Sequence, residues 1–200
     1  MQIDLFTTEF ADTPKLPSCV QYWPALLSKP LATEAYLRLV EEVIWRQPEV
    51  TVFGKTHLIP RLQSWMADQN VEYGYSDHQL VADQWHPEVI ALKRLVETTT
   101  GFAFNSVLLN YYRDGDDKMG WHADDERELG SNPAVATLSL GAERDFQIRH
   151  NTSNQTHSIA LGHGSLLLMK PGMQASYKHQ LPTRKKVNAG RISLTFRYVY

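Results

Sequence analysis

The feature that most restricts the fold is a change of period at Phe102. From there onward the chain divides into short apolar or alternating segments: Phe104 to Tyr112, Val135 to Leu140, Phe146 to His150, Ser158 to Leu161, Ser165 to Met169 and Arg191 to Tyr200. Gly115, Gly130, Gly141, Gly162, Gly164, Gly172 and Gly190 fall between them, where consecutive antiparallel strands need turns. Upstream the period is helical. Residues 31 to 47 carry Tyr36, Leu37, Val40, Val43 and Ile44 at three- and four-residue spacings before Pro48. A second stripe, Val89, Ile90, Leu92, Leu95 and Val96, opens at Pro87 and closes at Gly101. Helices followed by many short strands predict an α+β fold, a sandwich or jelly roll with the helices on one outer face.

A chain of 200 residues can bury a substantial core as one domain, and 42% apolar against 21% charged residues excludes a disordered or low-complexity chain. Apolar runs reach only four residues (Val89 to Leu92, Leu166 to Met169), so a membrane-spanning helix is not expected. The start, MQIDLFTTEF, has neither signal-peptide nor transit-peptide character, and the single cysteine, Cys19, fits a reducing compartment. An intracellular, monomeric protein is expected, cytoplasmic if bacterial and nuclear if eukaryotic. The formal charge of −2 argues against indiscriminate coating of a polyanion. Arg184, Lys185 and Lys186, with Lys178 upstream, nevertheless form a local basic cluster, either a phosphate contact or a solvated loop. Residues 51 to 80 are irregular and aromatic, a long loop region that either folds over the core or touches a ligand.

The strongest chemical signal is His122-Ala123-Asp124. In an extended chain these side chains share a face and can converge on one cation. His179, 57 residues later, lies about where a returning strand would bring a third ligand. Two histidines and one carboxylate make the facial triad of non-haem iron, with zinc as the competing metal. The segment Arg191 to Arg197 alternates so that Ile192, Leu194 and Phe196 share one face and Arg191, Ser193, Thr195 and Arg197 the other. If that second face points into the barrel, two guanidiniums need an anion, and a dicarboxylate fits them both. The two signals have a joint explanation in Fe(II) and 2-oxoglutarate, whereas zinc hydrolysis leaves the arginine pair unexplained.

The segments FNSVLLNYYRDGDDKMGWHADDERELG, VATLSLGAERDFQIRH, HGSLLLMKPGMQASYKHQLP and RISLTFR together resemble the AlkB family of Fe(II)/2-oxoglutarate-dependent nucleic acid dealkylases, in its animal repair-type branch. The resemblance covers roughly residues 50 to 200. It implies a double-stranded β-helix at 102–200, nucleotide-recognition loops at 50–80 and an uninformative N-terminal extension at 1–30. It implies that His122, Asp124 and His179 hold the iron, and that Asn110, Tyr112, Arg191, Thr195 and Arg197 hold 2-oxoglutarate, with dioxygen as the other cosubstrate. Ser193 departs from the family's Asn at that place. For the substrate it implies Tyr75 as the aromatic that stacks on a flipped base, Tyr73 as a hydroxyl contact, and Phe53, within Val52-Phe53-Gly54, as an apolar wedge. Arg61 becomes a phosphate or opposite-strand contact, and Asp125 and Glu126 approach the exocyclic amino group or order the loop. The three aromatics have a plain alternative, anchoring the loop to the core. The reaction implied is oxidative demethylation of 1-methyladenine and 3-methylcytosine in DNA. Alternatives are an RNA or single-strand demethylase, a 2-oxoglutarate oxygenase of protein or small molecules, and a noncatalytic nucleic-acid-binding barrel.

Overall fold

The computed structural model describes residues 16–200 apart from 53, 72, 76, 77 and 81, and only the backbone at 52, 73–75 and 78–80. In chain order the elements are β1 (Val20–Trp23), α1 (Lys29–Glu42), β2 (Glu49–Val52), β3 (Lys55–Leu58), β4 (Leu62–Ala67), β5 (Tyr73–Tyr75), β6 (His78–Leu80) and α2 (Pro87–Thr100). The second half holds β7 (Ser106–Tyr112), β8 (Met119–His122), β9 (Val135–Gly141), β10 (Arg144–His150) and β11 (Thr156–Leu161), then β12 (Ser165–Met169), α3 (Met173–Ser176), β13 (Tyr177–Leu181) and β14 (Arg191–Arg197).

Two antiparallel sheets form the jelly roll. One has six strands in the order β1-β12-β9-β14-β7-β4 and the other four in the order β11-β10-β13-β8. The alternation of β14 decides how the layers face. Ile192, Leu194 and Phe196, each fully buried, join Leu109, Leu138 and Leu140 against Ala32, Ala35 and Leu39 of α1 and Val89, Leu92 and Val96 of α2. The helices thus cover the outer face of the six-stranded sheet. Between the sheets, Val135, Phe146, Ile148, Ile159, Leu161, Leu167 and Met169 close one end. The remaining space there is lined by polar and apolar side chains together.

The helix caps follow from sequence. The His86 ring accepts from the Glu88 amide, Pro87 stands in the first turn, and Gly101 ends α2 at φ 76°. α1 departs from expectation: it stops at Glu42, and Leu37 and Ile44 are exposed while Ala32, Ala35 and Leu39 form its buried stripe. The chain leaves the helix because sheet pairing competes for it. Arg46 bridges Gln63 of β4, and the Trp45 indole N–H donates to the Leu39 carbonyl, which also accepts from the Val43 amide at the helix end. Among the described residues no helix is long and apolar enough to cross a membrane.

Candidate metal and cosubstrate site

β8 and β13 are neighbours, and their register sets His122 opposite His179. Asp124 follows β8 by two residues. Ligand atoms of these three residues all lie within 4.8 Å of one another, so the predicted triad converges. The His122 Nδ1–H donates to the Gly120 carbonyl at 2.8 Å, a bond that fixes the tautomer and leaves Nε2 as a lone-pair donor 3.9 Å from Asp124 Oδ1. Asp124 Oδ1 accepts from Arg197 Nη2 at 2.9 Å, while its buried Oδ2 has no partner among the described residues. The Asp124 backbone N–H donates to Gln174 Oε1 of α3 at 3.0 Å.

The electrostatics suit a cation. Burial lowers the pKa of both imidazoles, that of His179 to about 3, with the neighbouring His122 adding to the effect. Burial alone would raise the Asp124 carboxyl, but Arg197 and the two histidines outweigh it and hold it at about 2. Near neutrality the cluster therefore offers two neutral rings and one carboxylate, the protonation state that metal ligation requires. An orphaned buried carboxylate oxygen beside correctly oriented imidazoles fits a divalent ion.

From the triad a cavity runs between the sheets, lined by Arg61, Asn110, Tyr112, Thr137, Arg191, Ser193, Thr195 and Arg197 together with apolar side chains such as Leu108, Met119 and Phe146. The predicted face of β14 thus does point inward. Its two arginines differ, however. Arg197 is bonded to Asp124 at the triad end, whereas the side chain of Arg191, 1% exposed, among the described residues donates only to Ser139 Oγ at 2.8 Å and keeps a buried Nε without partner. Burial pushes its pKa down to about 10, partly offset by Tyr112, whose ring centroid lies 5.5 Å from the guanidinium. Arg191 is the stronger seat for an anion.

The other expected residues fall in several places. Asn110 accepts from Arg61 Nε at 2.8 Å, and Arg61 is 4% exposed inside the cavity, so its position there is not that of a surface phosphate contact. Ser193 pairs with Asn110 and Ser139 on the flanking strands, which sets a carboxamide beside the place where the family pattern has its Asn. Asp125 is exposed and Glu126 half-buried, and the cavity lining includes neither. Phe53 lies outside the described residues, as do the side chains of Tyr73 and Tyr75, whose backbone forms β5.

Sequence reasoning missed Arg144 and Gln174. Arg144 was legible: the alternation that points Phe146 and Ile148 inward points Arg144 inward as well. Gln174 gave no signal, because a lone glutamine in a short connection is ordinary. Also missed was a strip on the outer face of the four-stranded sheet. There the Arg149 guanidinium lies 4.1 Å from the Trp121 ring centroid, and Lys178 is its cross-strand neighbour.

The 2OG-Fe(II) oxygenase superfamily model matches residues 19–197. Among curated proteins, the chain is 40% identical over 185 residues to the DNA oxidative demethylase ALKBH2 of Bos taurus, covering 87% of this chain and 66% of that protein. It is 34% identical over 202 aligned residues to the alpha-ketoglutarate-dependent dioxygenase alkB homolog 3 of the same species, covering 96% of this chain and 70% of that one. The solved structure of OsALKBH1 superposes with a TM-score of 0.67 at 16% identity, over 91% of this chain and 99% of that one, a likeness of fold.

Proposed function

Because this chain belongs to the 2OG-Fe(II) oxygenase superfamily, and within it to the AlkB branch, we propose that it oxidatively removes alkyl groups from damaged DNA bases, with 1-methyladenine and 3-methylcytosine as its substrates. The observation that carries this reading is one cavity that joins a His-Asp-His cluster to a buried arginine with a donor that has no partner among the described residues. Zinc hydrolysis uses the first and has no need of the second.

His122, Asp124 and His179 would hold ferrous ion, and Arg191 the far carboxylate of 2-oxoglutarate, with Asn110, Tyr112 and Thr195 lining the same passage. The chemistry that a bound ferrous ion supplies with dioxygen and 2-oxoglutarate is oxidation of the alkyl carbon on the base nitrogen. The protein's own part is arrangement. Arg197 fixes and ionises Asp124, Gly120 orients His122, and the apolar lining at Leu108, Met119 and Phe146 keeps water scarce.

DNA as the substrate is supported by the names of the relatives and by the charge on the surface. Arg184, Lys185 and Lys186 are exposed on one turn, and Arg149 and Lys178 stand side by side next to Trp121 on the strand that ends in His122. Two like charges directly across a strand pair disfavour each other, and a phosphate offsets that. The test is incubation with iron, ascorbate and 2-oxoglutarate of duplex and single-stranded oligonucleotides, DNA and RNA, each bearing one 1-methyladenine. Loss of 14 mass units (about one methylene, by the stoichiometry of demethylation) from duplex DNA is expected. No mass loss from any DNA would reject the reading, and loss from RNA alone would move it to the alternative substrate.

A further inference from the structure

Arg144 opens β10 with its guanidinium 1% exposed, and among the described residues no carboxylate bonds to it. Instead Nη1 donates to the Asp114 carbonyl at 2.8 Å, and Nη2 to the carbonyls of Asp117 at 2.9 Å and Pro182 at 2.7 Å. The nearby acids are bonded to other cations, Asp117 to Arg113 at 2.8 Å and Asp145 to Arg184 at 3.4 Å, and favour the Arg144 charge only from a distance. Carbonyl groups can be satisfied by a neutral donor, and a buried cation costs far more than a buried amide. The charge itself therefore calls for a reason.

That reason lies at Tyr112. Its ring faces two guanidiniums, Arg144 at 5.9 Å and Arg191 at 5.5 Å from the centroid. Burial is the main force lowering the pKa of Arg191, and Arg144 lowers it further, so the two cations repel each other. An anion against the unused Nε of Arg191 relieves both.

We infer that Arg144 is a specificity-determining residue for the cosubstrate, a second buried positive charge that acts through Tyr112 and Arg191 to favour a 2-oxo acid with a charged far end. Arg144 is absent from the cavity lining, so it works through its field and not by contact. A unit charge acting over about 10 Å at an effective dielectric of about 20 changes affinity by on the order of tenfold. This inference rests on the cosubstrate reading above.

The test titrates Mn(II)-loaded protein, without turnover, with two ligands of similar shape: 2-oxoglutarate and 5-methyl-2-oxohexanoate, whose isopropyl end replaces the far carboxylate. Arg144→Gln should weaken 2-oxoglutarate by about tenfold and leave the uncharged-tail acid unchanged, and Arg144→Lys should restore the preference. A structural pin would weaken both acids alike. Equal loss for both, no loss for 2-oxoglutarate, or a preference that Lys fails to restore would each overturn the inference. Should Arg144→Gln not fold, Arg144→Met carries the same comparison, and Arg144→Lys alone still tests whether charge without the full fork preserves the preference. Wild-type protein that does not favour 2-oxoglutarate over its uncharged analogue would instead overturn the cosubstrate assignment.

Discussion

Asp124 carries more separate demands than any other side chain in the site. Its carboxylate must stay ionised although it is buried, Oδ1 is committed to Arg197 and lies 3.9 Å from His122 Nε2, and Oδ2 has no partner among the described residues. Asp124→Ala, like His122→Ala, should abolish demethylation in a folded protein. Circular dichroism beside a mass assay checks this, and retained turnover in either variant would remove the metal assignment. Gln174 holds the Asp124 backbone from α3. Gln174→Met keeps the volume and loses the acceptor, and Mn(II) affinity should fall by about 10- to 100-fold. Calorimetry on the folded variant measures it, and an unchanged affinity would reduce Gln174 to packing. Of these residues, the triad was legible because ligand chemistry restricts residue type so tightly. Gln174 was not, because backbone support can come from any side chain with a carbonyl oxygen.

At the scale of elements, the turn that displays Arg184, Lys185 and Lys186 is set by Gly115. The Arg184 amide donates to the Gly115 carbonyl at 2.7 Å, and the Gly115 amide to the Val187 carbonyl at 2.8 Å. A Cβ on Gly115 would lie 1.9 Å from the Arg184 carbonyl oxygen, so Gly115→Ala must push the basic turn away. Weaker binding to duplex DNA, with 2-oxoglutarate affinity kept, is the expected outcome by fluorescence anisotropy. Equal binding would mean that the turn does not touch the nucleic acid. β14 shows the other limit of element-level reading. Its alternation correctly separates Ile192, Leu194 and Phe196 from the arginines, but alternation treats Arg191 and Arg197 as equivalents. They differ because Asp124, on a separate chain segment, reaches only one of them. In the core, Leu194→Ala should cost about 2–5 kcal/mol of unfolding free energy, read by denaturant titration. The position is fully buried between the sheet and the helices.

For the whole molecule, acid sensitivity is expected at the loop that joins the sheets. Burial would raise the Asp117 carboxyl, but the Arg113 side chain and backbone N–H hold it below its ordinary value. A folded-state pKa below the unfolded one stabilises the fold above the unfolded value, near 4, and that contribution is lost as pH falls through the folded value. The stability difference between wild type and Asp117→Asn should therefore be largest at neutral pH and shrink below about pH 4. Urea titrations across that range measure it, and a constant difference would contradict it.

Sequence by itself determined the two long helices, most strands from Ser106 onward, the separation of the polar from the apolar face of β14, the His-Asp-His candidates and the family, because each depends on local period or on chemistry that few residue types perform. Residues 51 to 80, expected as an irregular loop, instead hold β4, which pairs with β7 in the six-stranded sheet. Only the tertiary structure decided that α1 yields its last turn to the sheet edge, that Arg61 turns inward to Asn110, and that Arg197 bonds Asp124 while Arg191 bonds Ser139. These outcomes depend on which distant groups arrive within hydrogen-bond distance, and a one-dimensional pattern carries no such distances.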